Sequence, residues 1–368
     1  MRAVLFLLVL AGLSFVGYRY WMPGAEAAGP ETPANQPSAG DFEFGGAAPD
    51  EPGRIPEPRA GTRGEPQAAP ESEGDPEMGP ARAQAASFAK LGAEGRWLEA
   101  AAATGGRNDF AFEQSGRSAL EQLIRDCAKA SPEDATLHAS AVLDVLTCGR
   151  PYLADMAVRE LFARLYQAQQ DALGRSLVGR RGTWRSRSTE IRKGDALLKI
   201  ARRMTRDLGV PISVGLLQLV NEIQDPASIR AGKTLRVPTD RMHVTVERST
   251  HTLKLFVGPI LLRIYPVGLG KQGTGTPAAE FVVRDLLRDP QWTDPVSKRV
   301  YQPGEPGNAL GGYFIRLRHP QHEGYGIHGT DEQDSIGRSE SLGCIRMRDG
   351  DIDELFSLMA EKVKVQVR

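Results

Sequence analysis

Hydrophobic positions along this chain change their spacing several times, and each change marks a segment of different structure. An apolar run extends from Ala3 to Gly17, and between residues 23 and 85 aliphatic residues nearly vanish. From 86 to 180 they return at helical spacing. Ser118-Ala119-Leu120-Glu121 has the form of a capping box, and Leu120, Ile124 and Cys127 then share one face. Ser131-Pro132-Glu133-Asp134 predicts a second helix start with proline at its first position and Leu146 among its later apolar residues. A third helix is expected from Tyr152 to Gln169, turning Met156, Phe162 and Leu165 inward. Together these predict a small helical bundle. Residues 188–239 then read as strand, turn, helix, helix and strand. Beyond Pro238 the period becomes two, in His243–Val246, Leu253–Val257 and Leu261–Val267, separated by Ser-Thr and Gly-Pro turns. Such alternation predicts a mostly antiparallel sheet. A last helix, Asp351 to Glu361, sets Ile352, Leu355, Phe356 and Met359 on one side.

The predicted class is therefore multi-domain α+β, and composition agrees. With 368 residues and 25% of them charged, the chain has room for two or three domains and is not disordered throughout. Its formal charge of zero hides an asymmetry, because residues 23–80 carry twelve acids against three arginines. The remainder is mildly basic, which suits an anionic polymer as partner, while the acidic stretch by itself also reads as a solvated linker. Met1-Arg2 before the apolar run, with Tyr18, Tyr20 and Trp21 after it, reads as an export signal. Ala25-Glu26-Ala27 has the small-x-small form of a cleavage site but lies beyond the apolar core, so residues 1–22 are expected to stay as a membrane anchor, with cleavage and release the alternative. Residues 23–85, rich in proline, glycine and glutamate, are expected to be a disordered, extended linker. The arginines of 175–193 have only Trp184 among them, too little aromatic surface for a nucleic-acid site.

The chemistry gathers near the C-terminus, in Gly326-Ile327-His328-Gly329-Thr330 and Ser341-Leu342-Gly343-Cys344-Ile345-Arg346-Met347. A cysteine with a histidine a short loop upstream supplies a nucleophile and a base. Its thiolate is the reactive form, and His328 and Arg346 are the neighbours that would favour it. Gly343 lets the backbone approach a substrate, so the N–H groups of Gly343 and Cys344 are candidates to face an oxyanion. These parts describe acyl transfer through a thioester. Cys344 lies apart from the other two cysteines, Cys127 and Cys148, which are either paired or separately buried. His319, His322, His328 and Cys344 equal a zinc ligand set in number, yet His319-Pro320-Gln321-His322 reads as a turn, and no metal or organic cofactor is expected. His138, His243 and His251 read as structural.

The two C-terminal motifs resemble the signature of the L,D-transpeptidase (YkuD-type) catalytic domain, which cross-links bacterial peptidoglycan. Gly275-Thr276-Pro277, Asp289-Pro290-Gln291-Trp292 and Asn308-Ala309-Leu310-Gly311 are similar in order and spacing to further segments of that family, so the likeness covers residues 242–368. It implies that Cys344 attacks a stem-peptide amide, that His328 moves the proton, and that the Gly329 carbonyl orients the imidazole. It further implies that Arg346 holds the loop or meets a carboxylate, that Ser341 caps the loop or donates to the oxyanion, and that Thr330, Leu342, Trp292 and Tyr325 line the substrate. Leu342 stands where the family often has histidine, and Ala279 where many members have glycine. The leucine leaves hydrolysis, or attachment of a protein to the wall, as alternatives to cross-linking, and a non-catalytic wall-binding protein as a further one.

Upstream, Gly194-Asp195-Ala196-Leu197-Leu198-Lys199-Ile200-Ala201 and Ile229-Arg230-Ala231-Gly232-Lys233-Thr234-Leu235-Arg236-Val237-Pro238 resemble the two ends of a LysM module, the βααβ domain that binds N-acetylglucosamine polymers. That likeness implies a glycan contact by Gly194, Asp195, Asn221 and Gly232, with a mere spacer as the alternative. The implied setting is the cell envelope, anchored in the inner membrane facing the periplasm or secreted there, with peptidoglycan as partner.

Overall fold

The computed structural model describes residues 79–368, apart from 180, 181, 272, 295 and 296. The membrane helix expected at 1–22 and most of the linker expected at 23–85 lie outside the described residues. Among the described residues no helix is long and apolar enough to cross a membrane.

The helical region starts earlier than its composition suggests. Helix α1 spans Pro80–Ala93, followed by α2 (Trp97–Ala103), α3 (Gln114–Cys127), α4 (Pro132–Leu146) and α5 (Met156–Ser176). The last residues assigned to the linker are thus helical, and Ala85 and Phe88 are in the core. Phe88 stacks on Phe110 with ring centroids 4.1 Å apart, and this contact fixes the entry to α3. Gly116 lies against the Phe110 carbonyl, where any side chain would collide; the helix already begins at Gln114, ahead of Ser118, and the expected capping box does not form. Leu120, Leu123 and Cys127 face inward there, with Ile124 only half-buried. At α4 the local signal holds. The Ser131 hydroxyl accepts from the Asp134 N–H at 3.1 Å, and Pro132 takes the first turn, where its missing donor costs nothing. Helix α5 buries Phe162 and Leu165 but leaves Met156, at its exposed first position, in solvent. Cys127 and Cys148 remain separate buried thiols.

The βααβ module is β1 (Ser186–Glu190), α6 (Leu197–Leu208), α7 (Val214–Asn221) and β2 (Thr234–Pro238), with β1 antiparallel to β2. Ile200, Met204, Leu217, Leu235 and Val237 fill its small core. It is not an independent bead. Leu216 and Val220 on α7 enter the large core of the C-terminal domain instead.

That domain is organised by one eight-stranded sheet. Its strands are β3 (Met242–Glu247), β4 (Thr252–Val257), β5 (Ile260–Pro266), β7 (Glu280–Arg288), β10 (Tyr313–Arg318), β11 (Gly326–Gly329), β13 (Ile345–Met347) and β14 (Lys364–Val367). Their order is β13-β11-β10-β7-β14-β3-β4-β5. Short pairs flank it, β6 (Leu269–Gly270) with β12 (Ser339–Ser341) and β8 (Trp292–Thr293) with β9 (Val300–Tyr301). Within the eight-stranded sheet pairing is antiparallel except at β11 with β13 and β14 with β3, and the flanking β6–β12 pair is parallel as well. The parallel β11–β13 pair is joined by the crossover of residues 330–344, and helix α8, Asp349–Leu358, then carries the chain from β13 across to β14. Its acids Asp349 and Asp351 sit in the first turn, where the helix dipole favours them. The helix stops at Leu358 rather than Glu361, with Ile352, Leu355 and Leu358 inward and Phe356 against Tyr313.

The helical region covers the β5 edge of this sheet. Ser140 on α4 accepts from the Leu261 N–H at 3.1 Å, and Gln169 on α5 donates to the Leu261 carbonyl at 2.6 Å. A strand edge that would otherwise be open to another chain is thereby satisfied.

Candidate active site

Strand β11 is short and wholly buried, and it carries His328 between Ile327 and Gly329. Its parallel partner β13 sets Ile345 opposite Ile327 and Arg346 opposite His328. Continued back by one residue, the register brings Cys344 level with Gly326, two residues before His328 and on the same face of β11. The cysteine sits on the turn between β12 and β13, half-buried, with its thiol directed at the Gly324 carbonyl 3.6 Å away.

That turn is closed by Ser341. Its hydroxyl donates to the Cys344 carbonyl at 2.7 Å and accepts from the Gly343 N–H at 3.1 Å. The Gly343 N–H is therefore spent inside the turn and does not face an oxyanion. Cys344 N–H has no acceptor within the described residues and is the remaining backbone donor. Gly343 has φ +125°, and a Cβ on it would fall 2.8 Å from the Tyr325 ring and 3.2 Å from the Thr274 carbonyl. Only glycine fits there.

The His328 Nδ1 lies 2.6 Å from the Gly329 carbonyl. A carbonyl can only accept, so Nδ1 carries the proton and Nε2 keeps its lone pair for a proton in transit. Burial pushes the His328 pKa down to about 4, helped by the Arg346 charge and opposed by the Gly329 and Ala309 carbonyls. Burial likewise pushes the Cys344 thiol up, against the backbone of Gly326 and the charge of Arg346, which favour the thiolate. The shifts of both groups favour a neutral thiol and a neutral imidazole at neutral pH.

Arg346 is half-buried and its guanidinium is ion-paired with Glu332. Thr330 is buried, with its hydroxyl accepting from the Glu332 N–H at 3.1 Å, so it shapes the turn behind the site. Leu342 is 53% exposed at the lip of the cysteine turn. Tyr325 closes over Gly343. Trp292 belongs to the separate β8–β9 pair, where it packs on Tyr301 at 5.2 Å. His319 and His322 stack on each other at 4.6 Å beside Phe281. Among the described residues no three His, Cys, Asp or Glu side chains are grouped to hold a metal.

In the βααβ module Gly194 and Gly232 form exposed left-handed turns, with φ +77° and +78°. The other two expected contacts are engaged internally. Asp195 accepts from the Arg192 N–H at 3.0 Å and from Arg203 at 2.9 Å. Asn221 donates to the Leu217 and Arg236 carbonyls and accepts from the Arg236 N–H, which ties α7 to β2. Their polar atoms are engaged within the module itself.

Sequence reasoning missed Glu332, as partner of Arg346, and assigned no role to Thr276. Thr276 lies in a segment already notable for Gly275-Thr276-Pro277, and its buried hydroxyl donates to the Gly343 carbonyl at 2.8 Å.

Comparison with known proteins bears on these observations. Residues 241–367 match the family model described as the L,D-transpeptidase catalytic domain, YkuD, and residues 190–238 match the LysM domain. The chain is 31% identical over 184 residues to a putative L,D-transpeptidase YkuD of Bacillus subtilis, covering 48% of this chain and 96% of that protein. It is 32% identical over 182 residues to a probable L,D-transpeptidase YcfS of Escherichia coli, covering 42% of this chain and 55% of that protein. Among solved structures, an L,D-transpeptidase from Mycobacterium smegmatis matches with 16% identity over 38% of this chain and 64% of that chain, at a TM-score of 0.30.

Proposed function

The chain belongs to the L,D-transpeptidase (YkuD) family, and on that premise we propose that it is a cell-envelope acyltransferase that cross-links peptidoglycan through a thioester on Cys344. One arrangement supports this reading above the rest. A partly exposed thiol on a glycine turn is brought by the β11–β13 register level with Gly326, two positions along β11 from a buried imidazole whose Nδ1–H is held, leaving Nε2 to accept.

The donor is a stem peptide, with the amide before its terminal D-alanine as the bond to be broken. As the sulfur of Cys344 bonds to the carbonyl carbon, the thiol proton passes to His328 Nε2, so the neutral resting pair becomes an ion pair only along the reaction path. Negative charge grows on the carbonyl oxygen, and the Cys344 N–H, engaged by no acceptor among the described residues, is the donor that receives it in this reading. When the carbon–nitrogen bond breaks, His328 returns the proton to the departing amine. The amine of a second stem then attacks the thioester, gives its proton to His328, and the thiol is restored. No cofactor enters this balance. Arg346, tied to Glu332, holds the β11–β13 edge that carries both reacting groups.

The LysM module would retain the enzyme on the wall, with Gly194 and Gly232 at the exposed loops, and the start of the chain would export or tether it. An apolar Leu342 at the lip favours a second outcome for the same thioester, capture by water or by a protein amine.

Incubation of the full chain with purified disaccharide-tetrapeptides tests the reading. Mass analysis should find a dimer lacking one D-alanine, and Cys344→Ala should form none. Product formation by Cys344→Ala, or alkylation of Cys127 or Cys148 ahead of Cys344, would falsify the assignment.

A further inference from the structure

We propose that Thr276 is a positioning residue for this reaction, holding the Gly343–Cys344 peptide so that the Cys344 N–H faces the carbonyl under attack. The inference rests on the acyl-transfer reading above. With the Gly343 N–H committed to Ser341 Oγ at 3.1 Å, the Cys344 N–H is the donor the turn has left. That N–H shares one planar trans unit with the Gly343 carbonyl, so the two point in opposite directions. Whatever holds the carbonyl aims the N–H.

The carbonyl is held by Thr276. Thr276 is 3% exposed, and its hydroxyl donates to the Gly343 oxygen at 2.8 Å and accepts from the Gly270 N–H at 3.0 Å. Gly270 is itself fixed, since β6 pairs with β12 at Ser341, and the Lys271 N–H donates to the Ser341 carbonyl at 3.0 Å. The Thr276 carbonyl is anchored as well, by Arg248 at 3.2 Å. The hydroxyl therefore bridges two rigid backbone points and has no freedom to turn away.

The turn needs such a brace because Gly343 supplies none of its own. At φ +125° and without a Cβ, it permits rotation of the following peptide at little steric cost. A flipped peptide would present the carbonyl oxygen where the oxyanion forms, replacing attraction with repulsion. Flipping breaks the Thr276 bond and strands buried polar groups, which biases the turn to the productive form. Donation to the carbonyl also polarises the amide and strengthens its N–H as a donor.

The test compares Thr276→Val and Thr276→Ser with the unaltered full chain. Acylation by a carbapenem is followed by mass, alkylation of Cys344 by iodoacetamide in parallel, and folding by thermal unfolding. Acylation builds an oxyanion, whereas alkylation does not. Thr276→Val should slow acylation by about tenfold to a hundredfold while alkylation stays within about twofold. Thr276→Ser, which keeps the hydroxyl, should recover most of the rate. Equal acylation by wild type and Thr276→Val overturns the proposal, and so does a parallel fall in both reactions, which marks a merely structural role. If Thr276→Val fails to fold, Thr276→Ser decides: a loss of acylation beyond about tenfold with unchanged alkylation overturns it, and near-wild-type acylation supports it. Absence of any acyl adduct on wild type, or an adduct on Cys344→Ala, is a failure of the underlying reading instead.

Discussion

Arg263 on β5 and Glu354 on α8 meet at 2.7 Å, joining the sheet edge under the helical region to the helix behind the catalytic strands. Gln170 of α5 accepts from the same guanidinium at 3.0 Å, and the Tyr265 hydroxyl donates to Glu354 at 2.9 Å. One ion pair thus ties together three segments of the chain.

Arg263→Met should destabilise the protein by about 2 kcal/mol, below the usual loss for a fully buried pair because the carboxylate keeps some solvent. Urea unfolding at neutral pH measures it. A shift under about 0.3 kcal/mol would mean the pair adds nothing to the junction. The double variant Arg263→Met with Glu354→Leu should recover much of the loss, since no charge is then left unpaired.

His328 and Cys344 give the site a defined pH signature. The His328 pKa falls from 6.5 to about 4 on folding, so the unfolded chain binds the proton first. Its contribution to stability is therefore complete above pH 6.5 and is lost as pH drops toward 4. His328→Gln should flatten that part of the stability profile. Because burial raises the thiol, alkylation of Cys344 should climb steadily with pH through the alkaline range. An alkylation plateau beginning in the acid range would reveal a preformed thiolate–imidazolium pair and contradict the neutral resting state.

Leu342→His tests the second half-reaction. On the proposed mechanism acylation depends on Cys344, His328 and the Cys344 N–H, so its rate should stay within about tenfold, ~1.4 kcal/mol of barrier. The ratio of cross-linked to hydrolysed product should move, as read by chromatography. A rise of several orders of magnitude in acylation would mean the native site is impaired at its first step.

Gly215 is where the LysM module meets the catalytic domain, and a Cβ there would lie 2.2 Å from the Ser357 carbonyl. Gly215→Val should cost about 1–3 kcal/mol, seen as a lower unfolding midpoint, because backbone must shift to admit it. The same contact makes deletion of the module a poor test of glycan binding, as Leu216 and Val220 would leave the main core with it. An unchanged midpoint in Gly215→Val would show that the module separates freely from α8.

What the sequence determined by itself is what neighbours in the chain encode. Alternation placed β3, β4 and β5, because strand faces follow from a two-residue period. The Ser131 cap was legible because donor and acceptor are three residues apart. Cys344 and His328 were legible as a pair of short motifs. Tertiary structure decided the rest. Ser118 has the same local grammar as Ser131, yet Phe110 packing on Phe88 starts the helix before it. Asn221 ties its amide to the backbone of Arg236, fifteen positions away in sequence, a contact that nothing in its own segment announces. Thr276 acquires a role only when the chain folds back across 67 positions to Gly343, and Arg263 only when it meets Glu354 across 91. Contacts at such separations are set by how the sheet, helices and turns pack, and no local period or spacing records them.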